Sequence, residues 1–198
     1  MNSSNHCESC KGGEAAPKQH VLSFDVGVKN LAYCLLDSNQ KIIRWNIVDI
    51  SHSSYQGRCS KLISELDNIN LDIEEPITVI IEKQMSKNRT MMIISGQILM
   101  YYTLKKKERI VNIKKVIYYS PKHKLKCYTF EEGDEPLKKI RAKPNTYAYR
   151  KNLSKQHCER MINRNQSKEM IEFYKNLKAK KDDASDAYLQ AVAYQNGY

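Results

Sequence analysis

Four acidic residues stand where a carboxylate is chemically useful. Asp25 lies inside the apolar run VLSFDV, and Glu82 directly follows another apolar run, ITVII. Asp183 and Asp186 are spaced i, i+3, which puts both carboxylates on one face of a helix. Because a buried charge is costly unless it is paired or bound to a metal, the four are predicted to converge as oxygen ligands of two Mg²⁺ or Mn²⁺ ions. Such a pair of ions activates water for phosphodiester hydrolysis.

Each acid taken singly also has a structural explanation, either an ion pair or a helix cap. The alternatives pair Asp25 with Lys29 and Glu82 with Lys83 or Arg89, and make Asp182, Asp183 and Asp186 a capping cluster. Taken together, the four acids favour a metal site, because they fall on the first strand, after the fourth strand and on the last helix. Asp182 is the alternative to Asp183, but only Asp183 gives the Asp-x-x-Asp spacing.

The elements that must position these acids follow from hydrophobic periodicity. Short connections predict that the first three strands form an antiparallel meander. A helix between the third and fourth strands implies a crossover and a parallel pairing. The predicted strands are 21–26, 30–36, 42–48, 77–81 and 116–119, and the predicted helices are 54–69, 91–104, 149–162, 168–177 and one from about 182. Residues 121–148 are predicted to be an irregular loop or insertion.

The composition bounds the class of protein. The chain has 198 residues, which suits one domain, predicted here at 20–198 after a disordered tail at 1–19. No apolar run is long enough for a membrane helix and no signal peptide is visible, so an intracellular protein without a membrane partner is expected. Cys7 and Cys10 alone do not complete a tetrahedral zinc site, so a zinc knuckle there is only weakly indicated.

The chain is strongly basic, with a formal net charge of +11 from 33 basic and 22 acidic residues. An excess of this size favours a polyanionic partner, because each Lys or Arg set against a phosphate releases condensed counterions. A merely soluble basic surface is the alternative, and the acidic residues tip the balance towards nucleic acid.

Three motifs carry a family resemblance. The segments FDVGVKN at 24–30, IEKQ at 81–84 and KDDASDA at 181–187 resemble the Asp-x-Gly, Glu-x-Gln and Asp-x-x-Asp motifs of the poxvirus Holliday junction resolvases, relatives of the bacterial RuvC resolvases. The likeness covers about residues 20 to 198. It implies a ribonuclease H-like α/β fold with a mixed five-stranded sheet flanked by helices, and it places Asp25, Glu82, Asp183 and Asp186 at the metal-ligand positions.

The resemblance further implies a homodimer that cuts four-way DNA junctions with Mg²⁺ or Mn²⁺. It implies that the enzyme resolves concatemeric viral DNA in the host cytoplasm. The family also carries a functional lysine ahead of the last acidic motif, and Lys151 and Lys155 are both candidates for contacting the scissile phosphate, with Lys151 slightly preferred. Solvent-facing helix lysines are the plain alternative for both.

Other expectations stay open. Lys87, Asn88 and Arg89, at the start of the second helix, are predicted to contact DNA near the cut. The apolar second helix, with Met91 to Met100, is a candidate dimer surface, although ordinary core packing explains it as well. Two other functions share some features: a ribonuclease H that acts on RNA–DNA hybrids has the same acids, and a non-catalytic DNA-binding module has the same charge.

Overall fold

The structure is a computed structural model that describes residues 19–128, 138, 143, 144 and 146–198. The predicted tail therefore lies outside the described residues except at its last position, as do Cys7 and Cys10. Much of the predicted loop at 121–148 lies outside them too. No helix in the described part of the chain is both long and apolar enough to cross a membrane.

The described residues form one five-stranded sheet with helices on both faces. In chain order the elements are β1 His20–Val26, β2 Asn30–Leu36, β3 Ile42–Asp49, α1 Tyr55–Asp67, β4 Ile77–Glu82, α2 Arg89–Lys107, β5 Ile113–Tyr119, α3 Tyr147–Asn165, α4 Lys168–Asn176 and α5 Lys181–Gln195. The predicted mixed α/β sheet is confirmed.

The sheet order is β3-β2-β1-β4-β5. β1, β2 and β3 pair antiparallel, whereas β1 pairs parallel with β4 and β4 with β5. The meander and the parallel crossover expected from the sequence are both confirmed. Because β1, β4 and β5 run in the same direction, their carboxyl ends meet at one edge of the sheet, called the carboxyl edge below.

Alternating side chains of the strands feed two separate cores. Phe24 and Ile81 belong to the core on the side of α1 and α2. Ala32, Cys34 and Ile80 belong to the core that α3, α4 and α5 cover. The central strand β1 is buried on both faces at every position except Asp25, which is half-buried.

Several predicted boundaries shift by a few residues, and two of the shifts have a clear physical reason. β5 begins at Ile113 rather than at residue 116, because Lys114 and Lys115 are exposed on this edge strand and hide the start from a reading of apolar residues. α3 begins at Tyr147 because the hydroxyl of Thr146 accepts a hydrogen bond from the Tyr149 amide and caps the helix. The predicted irregular stretch therefore ends two residues early.

Candidate active site

Asp25 lies near the carboxyl end of β1, on the face of the sheet that α5 covers. Its neighbours Phe24 and Val26 both belong to the opposite core, so the alternation of the strand turns the Asp25 side chain towards α5. The chain then turns tightly at Gly27, whose amide donates to the Asn30 carbonyl at 3.0 Å. A Cβ at Gly27 would lie 2.7 Å from that same oxygen, so the hairpin that presents Asp25 requires glycine.

Glu82 lies beside Asp25 because of the parallel register between β1 and β4. Phe24 is level with Ile81, so the next residue on each strand, Asp25 and Glu82, also come side by side. Their carboxyl groups are within hydrogen-bonding reach of each other. The amide of Gln84 donates to the Glu82 carboxylate at 3.3 Å and to the Glu82 carbonyl at 3.2 Å, which holds this side chain at the strand end.

Helix α5 brings the last acidic motif to the same edge. The Gln190 amide donates to the Ser23 hydroxyl at 3.0 Å and to the Phe24 carbonyl at 3.3 Å. Gln190 lies one helical turn after Asp186, so this contact fixes the position of Asp186 relative to β1. The indole of Trp45 on β3 donates to the Ala184 carbonyl at 3.1 Å and fixes the helix from its other side.

Lys124 joins these acids into one cluster. Its ammonium lies 3.1 Å from Glu82 Oε1 and 2.5 Å from Asp186 Oδ2. The second Asp186 oxygen, Oδ1, accepts a hydrogen bond of 2.6 Å from the Ser154 hydroxyl on α3. Two carboxylates, from β4 and α5, thus contact one lysine at the carboxyl edge, and Asp25 of β1 lies beside Glu82. Lys124 is the cation that pairs with Glu82, rather than the predicted Lys83 or Arg89.

The other acids of α5 lie one turn nearer the start of the helix. Asp183 is 3.7 Å from the ammonium of Lys180, and Asp182 forms an ion pair with Lys151 of α3. The Lys151 ammonium also lies 4.9 Å from the centre of the Tyr147 ring. Lys155 is near enough to Asp182 to lower the pKa of that carboxyl. The structure therefore groups Asp25, Glu82 and Asp186 tightly, with Asp183 next to them.

Burial decides how the cluster is charged. Burial and the nearby Glu82 carboxylate raise the pKa of Asp25 well above its usual value. Burial opposes the ionisation of Glu82 as well, but the Lys124 ammonium and the hydrogen bond with Asp25 outweigh it and lower the pKa of Glu82. Burial would lower the pKa of Lys124, yet Asp186 and Glu82 raise it. Of the two neighbouring acids, Asp25 is therefore the harder to ionise and Glu82 the easier, with Lys124 as the nearby cation.

The two acids at the start of α5, Asp182 and Asp183, differ in the direction of their pKa shifts. Burial and the neighbouring Asp182 raise the pKa of Asp183. Burial acts the same way on Asp182, but the hydrogen bond and charge of Lys151 reverse the effect and lower the pKa of Asp182. Lys151 therefore compensates the charge of Asp182 fully, whereas Lys180, at 3.7 Å, does not offset the effects of burial and of Asp182 on Asp183.

The chemistry of this donor set fits a hard divalent cation. The Asp25 and Glu82 carboxyls lie side by side, and burial with the Glu82 charge raises the pKa of Asp25, an unfavourable interaction that a metal ion would relieve. Within the described residues no three His, Cys, Asp or Glu side chains stand together as a ready metal-binding group. The Lys124 ammonium lies between Glu82 and Asp186, the two carboxylates that such an ion would share.

The predicted DNA-contacting residues lie at the approach to the same edge. Lys87, Asn88 and Arg89 follow β4 at the start of α2 and line a shallow surface pocket with Val28. Val28 belongs to the hairpin turn that follows Asp25. Lys87 and Arg89 are exposed, so their charges are available to a phosphate.

Lys124 and Ser154 are the site residues that the sequence interpretation did not single out. A signal for Lys124 was present, since the chain leaves β5 at the carboxyl edge and Lys122, Lys124 and Lys126 follow within seven residues of Tyr119. The family resemblance instead implies a functional lysine on the helix that precedes the last acidic motif. Lys151, found there, pairs with Asp182 rather than with Glu82 or Asp186.

No protein-family model and no curated protein sequence matches the chain. Solved structures with the same fold do. The yeast mitochondrial Holliday junction resolvase Ydc2 matches with a TM-score of 0.61 at 17% identity, over 92% of this chain and 82% of that one. The RuvC protein of Thermus thermophilus, in complex with a Holliday junction substrate, matches with a TM-score of 0.54 at 12% identity, over 88% of this chain and 91% of that one. The chain therefore has the ribonuclease H-like fold of the RuvC-like resolvases.

Proposed function

We propose that this protein is a metal-dependent endonuclease that resolves four-way DNA junctions. The observation that carries the proposal is the meeting of Asp25, Glu82 and Asp186 at the carboxyl edge of the sheet. They come from three elements far apart in the chain, in a fold shared with two junction resolvases. A structural ion pair would need one carboxylate beside Lys124, whereas this lysine contacts two, with Asp25 beside Glu82.

Asp25, Glu82 and Asp186, together with Asp183, would hold Mg²⁺ or Mn²⁺, two ions per site in the full arrangement. Bound there, the metal supplies an activated water and charge stabilisation for hydrolysis of a phosphodiester. Hydrogen bonds from the chain's own side chains orient these ligands. Gln84 donates to Glu82, Ser154 donates to Asp186, and Gln190 fixes α5 against β1. Lys151 and Lys155 lie on the α3 side, where a cation can offset negative charge that develops on the phosphate.

Binding of the DNA would rest on the basic surface around this edge. The chain carries a charge of +11, and the exposed Lys87 and Arg89 flank the turn that follows Asp25. Phosphate contacts from these residues would position the strand across the acidic cluster without reading its sequence.

The finer proposals follow from the motif resemblance. A four-way junction has two equivalent strands to cut, and a homodimer with two-fold symmetry supplies two equivalent sites. The exposed apolar side chains of α2, among them Ile93 and Met100, offer one surface for such a dimer. The proposed role is that of the poxvirus resolvases, which is to resolve concatemers and recombination intermediates in the cytoplasm of the host.

The proposal is tested with a four-way DNA junction and Mg²⁺, comparing the wild type with Asp25→Asn. The expected result is symmetric cleavage by the wild type, and a loss of at least about a hundredfold in rate with junction binding retained in the variant. Asp72→Asn, which alters an exposed acid away from the cluster, should cleave at the wild-type rate.

A second substrate separates the alternatives. An RNA–DNA hybrid duplex cut in preference to the junction would assign the site to a ribonuclease H activity. Junction binding without any cleavage of either substrate, and unaffected by Asp25→Asn, would identify a non-catalytic DNA-binding module.

A further inference from the structure

We infer that Lys124 is an internal counter-ion that competes with divalent metal for the acidic cluster, so that the metal must displace its ammonium before the site is complete. The inference rests on the proposed function in one respect, namely that the carboxylates take up a divalent cation. It assigns a property that the function does not require, since a metal site can equally be assembled with no internal competitor.

The geometry puts the ammonium where a shared cation would be. Nζ of Lys124 lies 3.1 Å from Glu82 Oε1 and 2.5 Å from Asp186 Oδ2, and these two acids come from β4 and α5. The lysine therefore bridges two elements across the carboxyl edge, with Asp25 in contact with Glu82. A metal ion held by the same carboxylates needs the same oxygens, and both cations cannot occupy the space between them.

Burial makes the contact strong. The side chains of Lys124, Glu82 and Asp186 are 16%, 13% and 18% exposed. Opposite charges withdrawn from water to this degree attract one another much more strongly than surface pairs do. Without the lysine, the two carboxylates would repel each other in a poorly solvated site, so the ammonium stabilises the metal-free protein.

The backbone around Lys124 is held independently of its side chain. The amide of Lys83 donates to the Tyr119 carbonyl at 2.8 Å, which ties the end of β5 to β4. Beyond it, the thiol of Cys127 donates to the Lys124 carbonyl at 3.0 Å, and the Lys126 amide donates to the His123 carbonyl at 2.9 Å. Because this turn does not depend on the ammonium, the flexible four-carbon side chain can swing away while the segment stays in place.

Thermodynamic linkage gives the direction in which metal affinity should change when the ammonium is removed. Two cations that compete for one set of ligands lower each other's affinity by the same factor. Removing the ammonium should strengthen metal binding and weaken the metal-free protein, whereas a lysine that merely orders the site would weaken both when removed.

The experiment measures Ca²⁺ and Mg²⁺ binding to the full-length chain by calorimetry, without DNA, and Tm in EDTA and in excess Ca²⁺. The chains compared are the wild type, Lys124→Met, Lys124→Gln, Lys124→Arg and Asp25→Asn. Lys126→Met is the matched control, because it removes one exposed positive charge from the same segment. Lys124→Gln provides a second uncharged variant that keeps a polar side chain if Lys124→Met does not fold.

Lys124→Met and Lys124→Gln should lower the Kd for Ca²⁺ by roughly tenfold, whereas Lys124→Arg and Lys126→Met stay close to the wild type. Both uncharged variants should have a lower Tm than the wild type in EDTA, and the difference should shrink in excess Ca²⁺. Binding by Lys124→Met with none detectable in the wild type would also support the inference.

Metal binding that is unchanged or weaker in both uncharged variants would overturn the counter-ion role. If Asp25→Asn still lost metal binding in that case, the proposed metal site would stand. Absence of binding in every chain, including Lys124→Met, would contradict the counter-ion role as well, and junction cleavage in Mg²⁺ would then decide the proposed function separately.

Discussion

The Gln190 amide donates to the hydroxyl of Ser23 at 3.0 Å, and both side chains are fully or almost fully buried. The two residues are 167 positions apart in the chain and join α5 to the central strand. The bond lies one turn from Asp186 on the helix and two residues from Asp25 on the strand. A core hydrogen bond between polar side chains thus adjusts the position of one acidic residue against another.

Replacing Gln190 should therefore affect stability and cleavage together. Gln190→Leu keeps the side-chain volume but leaves the Ser23 hydroxyl and the Phe24 carbonyl without their donor, at a cost of about 1–3 kcal/mol in the free energy of unfolding. Because α5 is then no longer fixed against β1, Asp186 is less well positioned, and we expect the cleavage rate to fall by roughly tenfold. Urea unfolding and a junction-cleavage assay measure the two effects.

Gln195→Leu is the control for this prediction. Its amide donates to the carbonyls of Gln19 at 2.7 Å and Asp37 at 2.8 Å, at the opposite end of α5 from the acids. It should lower stability with little loss of cleavage. An equal loss of cleavage in both variants would show that general destabilisation, not the position of Asp186, causes the effect.

Two glycines should respond to the same substitution with opposite signs. Gly27→Ala would put a Cβ 2.7 Å from the Asn30 carbonyl oxygen, so the hairpin beside Asp25 must open, at about 1–3 kcal/mol. Gly96→Ala lies within α2, where the nearest atom to the new Cβ is the Tyr118 hydroxyl at 3.9 Å. Alanine should stabilise that helix by up to about 1 kcal/mol. Urea unfolding of both variants checks the pair, and a neutral Gly27→Ala would contradict the account of the turn.

Charge reversal at Arg89 should weaken junction binding. The residue is exposed beside Lys87 and Val28 at the carboxyl edge, so Arg89→Glu replaces an attraction to phosphate by a repulsion. We expect an increase in Kd of about tenfold and a slope of log K against log salt that is shallower by about 1. Lys107→Glu, at the exposed far end of the same helix, should change neither quantity. Equal effects from both substitutions would indicate that total charge, not position, governs binding.

Stability should fall in mild acid because of His157. Burial, together with the charge of Arg160, lowers the pKa of His157 to about 4. The unfolded chain, with a histidine pKa near 6.5, therefore binds more protons than the folded chain between about pH 6.5 and pH 4, so the free energy of unfolding decreases as the pH falls through that window. Between pH 7 and pH 5 the loss from this one group is as much as about 2 kcal/mol.

His157→Phe isolates that contribution. The imidazole stacks on Tyr128 with ring centres 4.3 Å apart, and a phenyl ring preserves this contact without titrating. Urea unfolding at pH 7 and pH 5 should show a smaller loss in the variant than in the wild type. A wild type and variant that lose stability equally would mean that other groups control the acid response.

Local patterns in the sequence were enough for most of the fold. Apolar runs placed Asp25 and Glu82 on buried strands, and the short connections predicted the meander that the structure contains. The crossover between β3 and β4 followed from the helix between them. These predictions succeed because periodicity, turn chemistry and connection length act over a few residues.

The sequence by itself determined which acids are present, on which elements they lie, and that the surface is strongly basic. Only the tertiary structure decided which groups touch: Lys124 lies between Glu82 and Asp186, Lys151 pairs with Asp182, and Asp183 faces Lys180. The physical reason is that Lys124 follows β5 in a turn without periodicity, and its contacts depend on where two parallel strands and a distant helix meet. In a chain with 33 basic residues, composition alone cannot select that lysine.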